Sequence, residues 1–348
     1  MKKGLMMMSL LSAKSAVGEA HSKLILVGEH AVVYGKPAIA IPFPLKITVV
    51  VEEKQGDAEV ESFVYSGNVK EMPYEMNGIM ECIKKTFNLL RKPLRDIKIR
   101  IDSDIPLGRG LGSSAAAATA VVRGIFSFFN RKLSHEELFY LVGLSETYAH
   151  GKPSGIDMTA VASDMPIYFK NPEGGQVFKA IKPFHIVVAD SGLIGDTRKA
   201  VENVRSLYNN DKEKISNIID KIGAIVDRIK ICMMNGDIQA IGRLFDENHE
   251  LLRGLGVSNN SIDSLVNEAR SLGALGAKLT GGGLGGCIFA LAESLDVAKK
   301  ISKGLIAAGA VKSWCFSTKE NEIIDSLGFK GGYKDEGNGK SKYQYCFD

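Results

Sequence analysis

Three glycines at every second position mark the part of this chain whose residue types point most clearly to chemistry. The stretch runs from Ile105 to Ser114 (IPLGRGLGSS) and continues into alanines that reach Val122. Glycine lacks Cβ and adopts positive φ angles, so the N–H groups of such a loop can converge on one anion. The alanines favour a helix that begins at Ser113 or Ser114, with its positive end facing the loop. The pattern predicts a phosphate-binding loop, although a glycine turn capped by serine before a buried helix remains open.

Three further clusters carry side chains suited to chemistry on a phosphate compound. Lys23 begins an apolar run that ends at Gly28-Glu29-His30. Glu146 precedes a Gly/Pro break that leads to Asp157, and a glycine turn follows Lys278-Leu279-Thr280. Each cluster has a plainer interpretation: a solvated strand start, a capping box from Ser154 to Asp157, and a tight hairpin. Spacing alone therefore leaves their roles undecided.

Composition excludes several classes of partner. The chain has 348 residues, 45% of them hydrophobic, and a net charge of only +4 with basic residues spread along its length. This size suits two domains, and this charge predicts neither a nucleic acid nor a membrane partner. No apolar run approaches the ~20 residues of a membrane-spanning helix. Five cysteines without a CxxC pair favour a reducing cytoplasm over disulfides or structural zinc.

The elements that must position these residues alternate along the chain. Strands are predicted where β-branched residues cluster or polar and apolar residues alternate, and helices where caps precede a periodic apolar pattern. The predicted strands are 23–27, 45–52, 96–102, 184–189, 277–280 and 287–291, and the predicted helices are 76–91, 113–122, 134–150, 197–209, 212–235 and 238–255. This order indicates an α+β protein with mixed strand pairing.

Two matches to nucleotide-binding motifs are contradicted by the residues around them. Gly281, Gly283 and Gly286 satisfy GxGxxG, but the apolar residues 287–291 that follow predict a strand where a dinucleotide fold needs a helix. Gly339-Lys340-Ser341 ends like a Walker A loop, yet Lys334 occupies the position of its first glycine. We discount both.

Taken together, the four motifs resemble the GHMP kinases, and within them most the mevalonate kinases of the short bacterial type. They are GEHAVVYG from Gly28, PLGRGLGSSA from Pro106, HGKPSGID from His150 and KLTGGGLGGC from Lys278, with Lys23 upstream. The resemblance covers residues 18 to 318. Leu284 departs from the pattern, because some relatives carry a basic residue there.

This resemblance implies a two-domain α+β fold, with a ribosomal-S5-like N-terminal domain over 18–183 and a ferredoxin-like C-terminal domain over 184–330. Residues 1–17 are then a flexible extension and 331–348 a flexible tail. The apolar patch after Met1-Lys2-Lys3 imitates a short signal peptide, but we interpret it as part of that extension.

The resemblance also assigns roles. ATP is expected on the glycine loop, Mg²⁺ on Ser114 and Glu146, the general base at Asp157 and its neighbouring cation at Lys23. Glu29, His30 and Thr197 match positions near the acceptor. Apart from the resemblance, the chain offers Lys23, His30 and Arg198 as cations around the cleft, beside Glu29 and Asp157. The expected ATP-binding residues are Pro106, Leu107, Gly108, Arg109, Gly110, Leu111, Gly112, Ser113, Ser114, Ala115 and Ala116.

The implied activity is the ATP-dependent phosphorylation of mevalonate to 5-phosphomevalonate in a cytoplasmic enzyme, with a homodimer left open. Phosphomevalonate kinase and homoserine kinase share the loop and are the alternatives within the family. A non-catalytic binding protein is the alternative of another class. It would not need Lys23, Ser114, Glu146 and Asp157 together.

Overall fold

The computed structural model describes residues 14–150, 154–319 and 322–328. The predicted tail over 331–348 and most of the predicted N-terminal extension lie outside these residues. Residues 15–17, which we assigned to that extension, belong to the first strand, because they pair with residues 50–52.

The first sheet is built around one strand of 20 residues. Its strands are β1 (Ser15–Val27), β2 (Ala38–Asp57), β3 (Glu59–Ser62), β4 (Ser66–Asn68), β5 (Arg95–Ser103), β6 (Ile167–Lys170) and β7 (Gly174–Val177). The order is β4-β3-β5-β2-β6-β7, and β1 pairs antiparallel with β2 along almost its whole length. The ends of β1 and β5 carry the chain to Gly28 and to the glycine loop.

Four helices accompany this sheet: α1 (Asn77–Leu90), α2 (Ser113–Phe128), α3 (His135–His150) and α4 (Ile156–Val161). The alanine-rich α2 packs against β1 and β2. A Cβ on Gly18 would lie 2.2 Å from the Gly124 nitrogen, so the helix approaches β1 more closely than larger residues allow. Ser134 and Glu137 form the predicted capping box of α3.

The second sheet has five antiparallel strands in the order β12-β11-β8-β10-β9. They are β8 (His185–Asp190), β9 (Gly276–Leu279), β10 (Cys287–Ala292), β11 (Lys312–Ser317) and β12 (Glu322–Gly328). The accompanying helices are α5 (Thr197–Asn210), α6 (Lys212–Asn235), α7 (Ile238–Gly254), α8 (Asn260–Ser271) and α9 (Leu295–Ala307). Because β10 is a strand after the 281–286 turn, rejection of the dinucleotide motif is confirmed.

The two sheets share a buried core. Phe43 of β2 contacts Trp314 and Phe316 of β11 edge to face, with ring centroids 6.4 and 5.5 Å apart. The predicted strands and helices are confirmed, although β1, β2 and α2 each extend six or more residues beyond their predicted bounds. The elements that were not predicted are β3, β4, β6, β7, β11, β12, α4, α8 and α9. None of the helices in the described segments is long and apolar enough to cross a membrane.

Candidate active site

The glycine loop connects β5 to α2, as the sequence predicted. Gly108, Gly110 and Gly112 have φ angles of +66°, +79° and +77°, which L side chains rarely adopt. Helix α2 begins at Ser113, and its N-cap is Gly112 without a side-chain hydrogen bond. The interpretation of this loop as a serine-capped turn is therefore wrong, and the two serines occupy the first turn of the helix at the loop.

The loop packs on the second sheet. A Cβ on Gly110 would lie 2.9 Å from the Thr280 carbonyl oxygen, and one on Gly281 would lie 2.8 Å from the Gly110 Cα. The Gly108 carbonyl accepts a hydrogen bond from the Gly195 N–H at 2.9 Å. The two glycine-rich loops of the sequence therefore meet backbone to backbone, at the junction of the two sheets.

Arg109 makes a contact that its place in the loop did not reveal. Its side chain is 1% exposed, and Nε donates to the Asp190 carboxylate at 2.9 Å while Nη2 donates to the Gly192 carbonyl at 3.2 Å. Its own carbonyl accepts from the Cys287 N–H at 3.2 Å. The guanidinium is committed to an ion pair with the end of β8, so we keep the backbone of Arg109 as its candidate contribution to phosphate binding.

Lys23 and Asp157 form an ion pair beside the loop. Lys23 Nζ lies 2.7 Å from Asp157 Oδ1 and donates to the Gly110 carbonyl at 3.1 Å. Helix α4 is capped by Gly155 at φ +90°, so the capping-box interpretation of Asp157 is wrong. A Cβ on Gly112 would lie 2.8 Å from Lys23 Cγ, which explains why glycine is needed there. The pair connects the loop to α4.

The segment after β1 docks on the strand–turn that begins with Lys278. Lys278 Nζ forms an ion pair with Glu29 Oε1, and both side chains are almost fully buried. His30 Nε2 lies 2.9 Å from the Gly282 carbonyl oxygen, and Thr280 Oγ1 donates to the Ile25 carbonyl at 2.9 Å. The structure thus brings two of the sequence clusters together through three contacts.

Burial sets the charges in this region. It lowers the pKa of His30 from 6.5 to about 4, so the ring is neutral near pH 7 and Nε2–H donates to Gly282. His30 also has a φ of +61°, an uncommon backbone conformation of the kind found at functional sites. Burial raises the pKa of Glu29 and lowers that of Lys278, and the opposite charge of each partner offsets the effect.

The sequence placed Lys278 in a cluster suited to chemistry but assigned the residue no role of its own and did not predict its pairing with Glu29. The available signal was a lysine inside an apolar strand, since its neighbours Ala277 and Leu279 are both fully buried. Leu284, where the motif departs from the family, has a φ of +59° and donates its N–H to the Val257 carbonyl at 2.8 Å.

Thr197 and Arg198 occupy different environments at the start of α5. A Cβ on Gly282 would lie 2.7 Å from Thr197 Oγ1, so Thr197 adjoins the turn that holds His30. Arg198 is exposed, and its Nε donates to Glu202 at 3.2 Å along the same helix. Thr197 therefore remains a candidate acceptor residue, whereas Arg198 is engaged on the surface of α5.

Glu146 and Ser114 offer the oxygen donors expected for a magnesium ion. Glu146 is 1% exposed on α3, which packs against α2, and Ser114 is partly buried in the first turn of α2. Among the described residues no group of three or more His, Cys, Asp and Glu side chains could hold a metal. A carboxylate and a hydroxyl do fit Mg²⁺, which keeps several waters and takes further oxygens from phosphates.

Known proteins resemble this chain over most of its length. Residues 77–164 match the family model "GHMP kinases N terminal domain" and residues 229–311 match "GHMP kinases C terminal". The mevalonate kinase of Pyrococcus furiosus is 35% identical over 333 residues, which cover 89% of this chain and 98% of that protein. Among solved structures, L. major mevalonate kinase in complex with R-mevalonate has a TM-score of 0.77 and 27% identity, covering 88% of this chain and 97% of the other.

The fold extends to relatives that differ in sequence. Streptococcus pneumoniae phosphomevalonate kinase, solved with phosphomevalonate and AMPPNP, has a TM-score of 0.72 at 17% identity over 89% of this chain and 99% of its own. That likeness shows the fold alone. The family models and the identity to mevalonate kinases go further. This chain therefore belongs to the GHMP kinase family, with its two-domain α+β fold, and is an ATP-dependent kinase similar to mevalonate kinases.

Proposed function

We propose that this protein transfers the γ-phosphoryl group of ATP to the 5-hydroxyl of mevalonate, forming 5-phosphomevalonate and ADP. The observation that carries the proposal is the Lys23–Asp157 pair, held at 2.7 Å. Lys23 contacts the phosphate loop at Gly110 on one side and the carboxylate on the other. Identity to several mevalonate kinases supports the choice of acceptor.

Asp157 is the proposed general base. The acceptor oxygen attacks the γ-phosphorus, its proton passes to the Asp157 carboxylate, and the bond from that phosphorus to the bridging oxygen breaks to release ADP. The adjacent Lys23 ammonium, 2.7 Å from Oδ1, holds the carboxylate in position and polarises the attacking hydroxyl. Phosphoryl transfer leaves a protein little covalent work, so positioning by this pair and by the loop is the main contribution.

The glycine loop and the first turn of α2 are the proposed phosphate site. Loop N–H groups and the positive end of α2 would hold the phosphates of ATP. Ser114 and Glu146 would hold Mg²⁺, which when bound neutralises phosphate charge. The side chain of Arg109 instead fixes the loop to β8 through Asp190.

The acceptor side is close to electrically neutral. We expected Lys23, His30 and Arg198 as cations, but His30 is neutral and Arg198 pairs with Glu202. Lys278 supplies the second ammonium, so Lys23 and Lys278 face Asp157 and Glu29. Such a set accepts a monoanion such as mevalonate, whereas an acceptor that already carries a phosphate would bring excess negative charge.

A coupled assay of ADP release tests this proposal with mevalonate, phosphomevalonate and homoserine, and with no acceptor as the control. We expect kcat/KM for mevalonate to exceed that for phosphomevalonate by at least ~10²-fold, about 2.7 kcal/mol of discrimination. Comparable kcat/KM values for the two acceptors, or a preference for homoserine, would contradict the assignment of mevalonate as the acceptor but not the assignment of kinase activity. No acceptor-dependent ADP release at all would favour the non-catalytic binding protein.

The cysteines bear on where the enzyme works. Cys82, Cys232, Cys287 and Cys315 are free thiols. Free thiols are typical of a reducing compartment, and this supports a cytoplasmic location as part of the proposal.

A further inference from the structure

We infer that Lys278 is a positioning residue for the phosphoryl acceptor: it holds the Glu29 side chain as a carboxylate with one oxygen directed to the acceptor hydroxyls. The inference rests on the proposed function, because it concerns the acceptor of that reaction. It assigns to Lys278 a role in acceptor binding beyond that of linking the two sheets.

The side chains of Lys278 and Glu29 are both buried away from solvent. The two side chains are 0% and 1% exposed, and Lys278 Nζ also donates to the Leu279 carbonyl at 2.8 Å. The ammonium lies 5.1 Å from the centroid of the Phe289 ring. A buried ion pair is seldom the most stable filling of such a space, since apolar residues of similar volume are often as good or better. A functional reason for keeping both charges is therefore worth testing.

Only one of the two carboxylate oxygens of Glu29 is bound by Lys278. Oε1 binds Lys278, while Oε2 is buried and has no hydrogen-bond partner in the part of the chain that the structure describes. Buried carboxylate oxygens normally have a donor, and a hydroxyl of the bound acceptor would supply one. The charge of Lys23 favours the ionised form of the same carboxyl group and so opposes the effect of burial on its pKa, which places the Glu29 carboxylate in the region of the Lys23–Asp157 pair.

Two neighbouring contacts hold the backbone of this segment without Lys278. Thr280 binds the Ile25 carbonyl, and the Gly282 carbonyl binds His30. These contacts would remain if the lysine were replaced by an apolar residue of similar length. Lys278 adds a positive charge beside Oε1. That charge keeps Glu29 ionised and fixes the orientation of its carboxylate.

The other charged and titratable groups around Glu29 do not replace that charge. Lys23 of β1 is paired with Asp157, His30 is neutral, and His249 of α7, which lies near Lys278, has a pKa lowered to about 4 by burial. Without Lys278, burial would raise the pKa of Glu29 further and favour the neutral acid. A protonated carboxyl could not accept a hydroxyl hydrogen bond in the same way.

The test compares Lys278→Met, Glu29→Gln and the double variant with the wild type. Each single variant should raise KM for mevalonate at least ~10-fold and lower kcat/KM by ~10², while KM for ATP changes less than ~3-fold. In Lys278→Met, kcat/KM for mevalonate should rise with pH as Glu29 ionises. The double variant also carries Glu29→Gln and lacks that carboxyl group, so its kcat/KM should show no such rise. Lys312→Met is the matched control, because Lys312 also lies over an aromatic ring, Trp314, in the same sheet.

The double variant separates positioning from packing. It removes both buried charges, so its melting temperature should recover towards that of the wild type even if the single variants fold poorly. We expect its kcat/KM for mevalonate to stay at least ~10²-fold below wild type. A double variant with near-wild-type kinetics would overturn the inference. If the wild type prefers another acceptor, the proposed function fails, and the same comparison is made with the acceptor that it phosphorylates.

Discussion

Replacement of Asp157 by asparagine tests the chemical core of the proposed mechanism. The substitution keeps the size of the side chain and leaves an amide oxygen beside Lys23 Nζ, which lies 2.7 Å from Oδ1 in the wild type. It removes the negative charge and the ability to take a proton. The loop contact of Lys23 with Gly110 remains.

The expected size of the effect follows from these contacts. General-base catalysis contributes ~10²–10⁴ in rate, so kcat should fall at least ~10²-fold, about 2.7 kcal/mol in the activation free energy. Loss of a fully buried pair costs about 3–5 kcal/mol of stability, but Asp157 is 28% exposed and asparagine keeps one contact. We therefore expect a stability loss of only about 1–2 kcal/mol.

The assay combines steady-state kinetics, ATP binding by calorimetry and thermal unfolding. Asp164→Asn is the matched control, since Asp164 follows the same short helix but is 97% exposed. The control should retain wild-type kcat and stability. The Asp157 variant should bind ATP within ~3-fold of wild type, because the phosphate loop is unchanged. If it keeps near-normal kcat while folded, Asp157 is not the base, and its pairing with Lys23 is structural.

The remaining predictions concern the loop, the metal and pH. Ser114→Ala should raise the Mg²⁺ concentration for half-maximal activity at least ~10-fold, and Ser113→Ala less than ~3-fold; equal effects would place the ion elsewhere. Gly110→Ala should raise KM for ATP at least ~10-fold because its Cβ would meet Thr280, whereas Gly256→Ala, at φ +70° with open space around it, should not. Burial lowers the pKa of His249 from 6.5 to about 4. As pH falls from 6.5 to 4, the unfolded chain therefore binds a proton at this residue before the folded chain does, and the free energy of unfolding decreases. His249→Gln should therefore lessen the stability lost between pH 7.5 and 5 by about 2 kcal/mol in urea unfolding, and an unchanged loss would contradict the burial of a neutral ring.

Local features of the sequence were sufficient for most elements and for the loop. Helices α6 and α7 were predicted almost to the residue, because Asp211 and Asp237 cap them and the apolar positions repeat on one face. The glycine loop and the helix that follows it were predicted because glycine spacing and alanine content act within about a dozen residues. Strands β11 and β12 were missed, since short strands are defined by their partners more than by their own residues.

Tertiary structure alone decided which side chains face each other. Arg109 and Asp190 are 81 residues apart in sequence, and Glu29 and Lys278 are 249 apart. Neither pair follows from spacing, because each depends on how the second sheet docks against the first. The same docking buries His30 and so determines its charge. The sequence alone supported the kind of chemistry, whereas burial and long-range pairing determined which of its charged groups remain available for it.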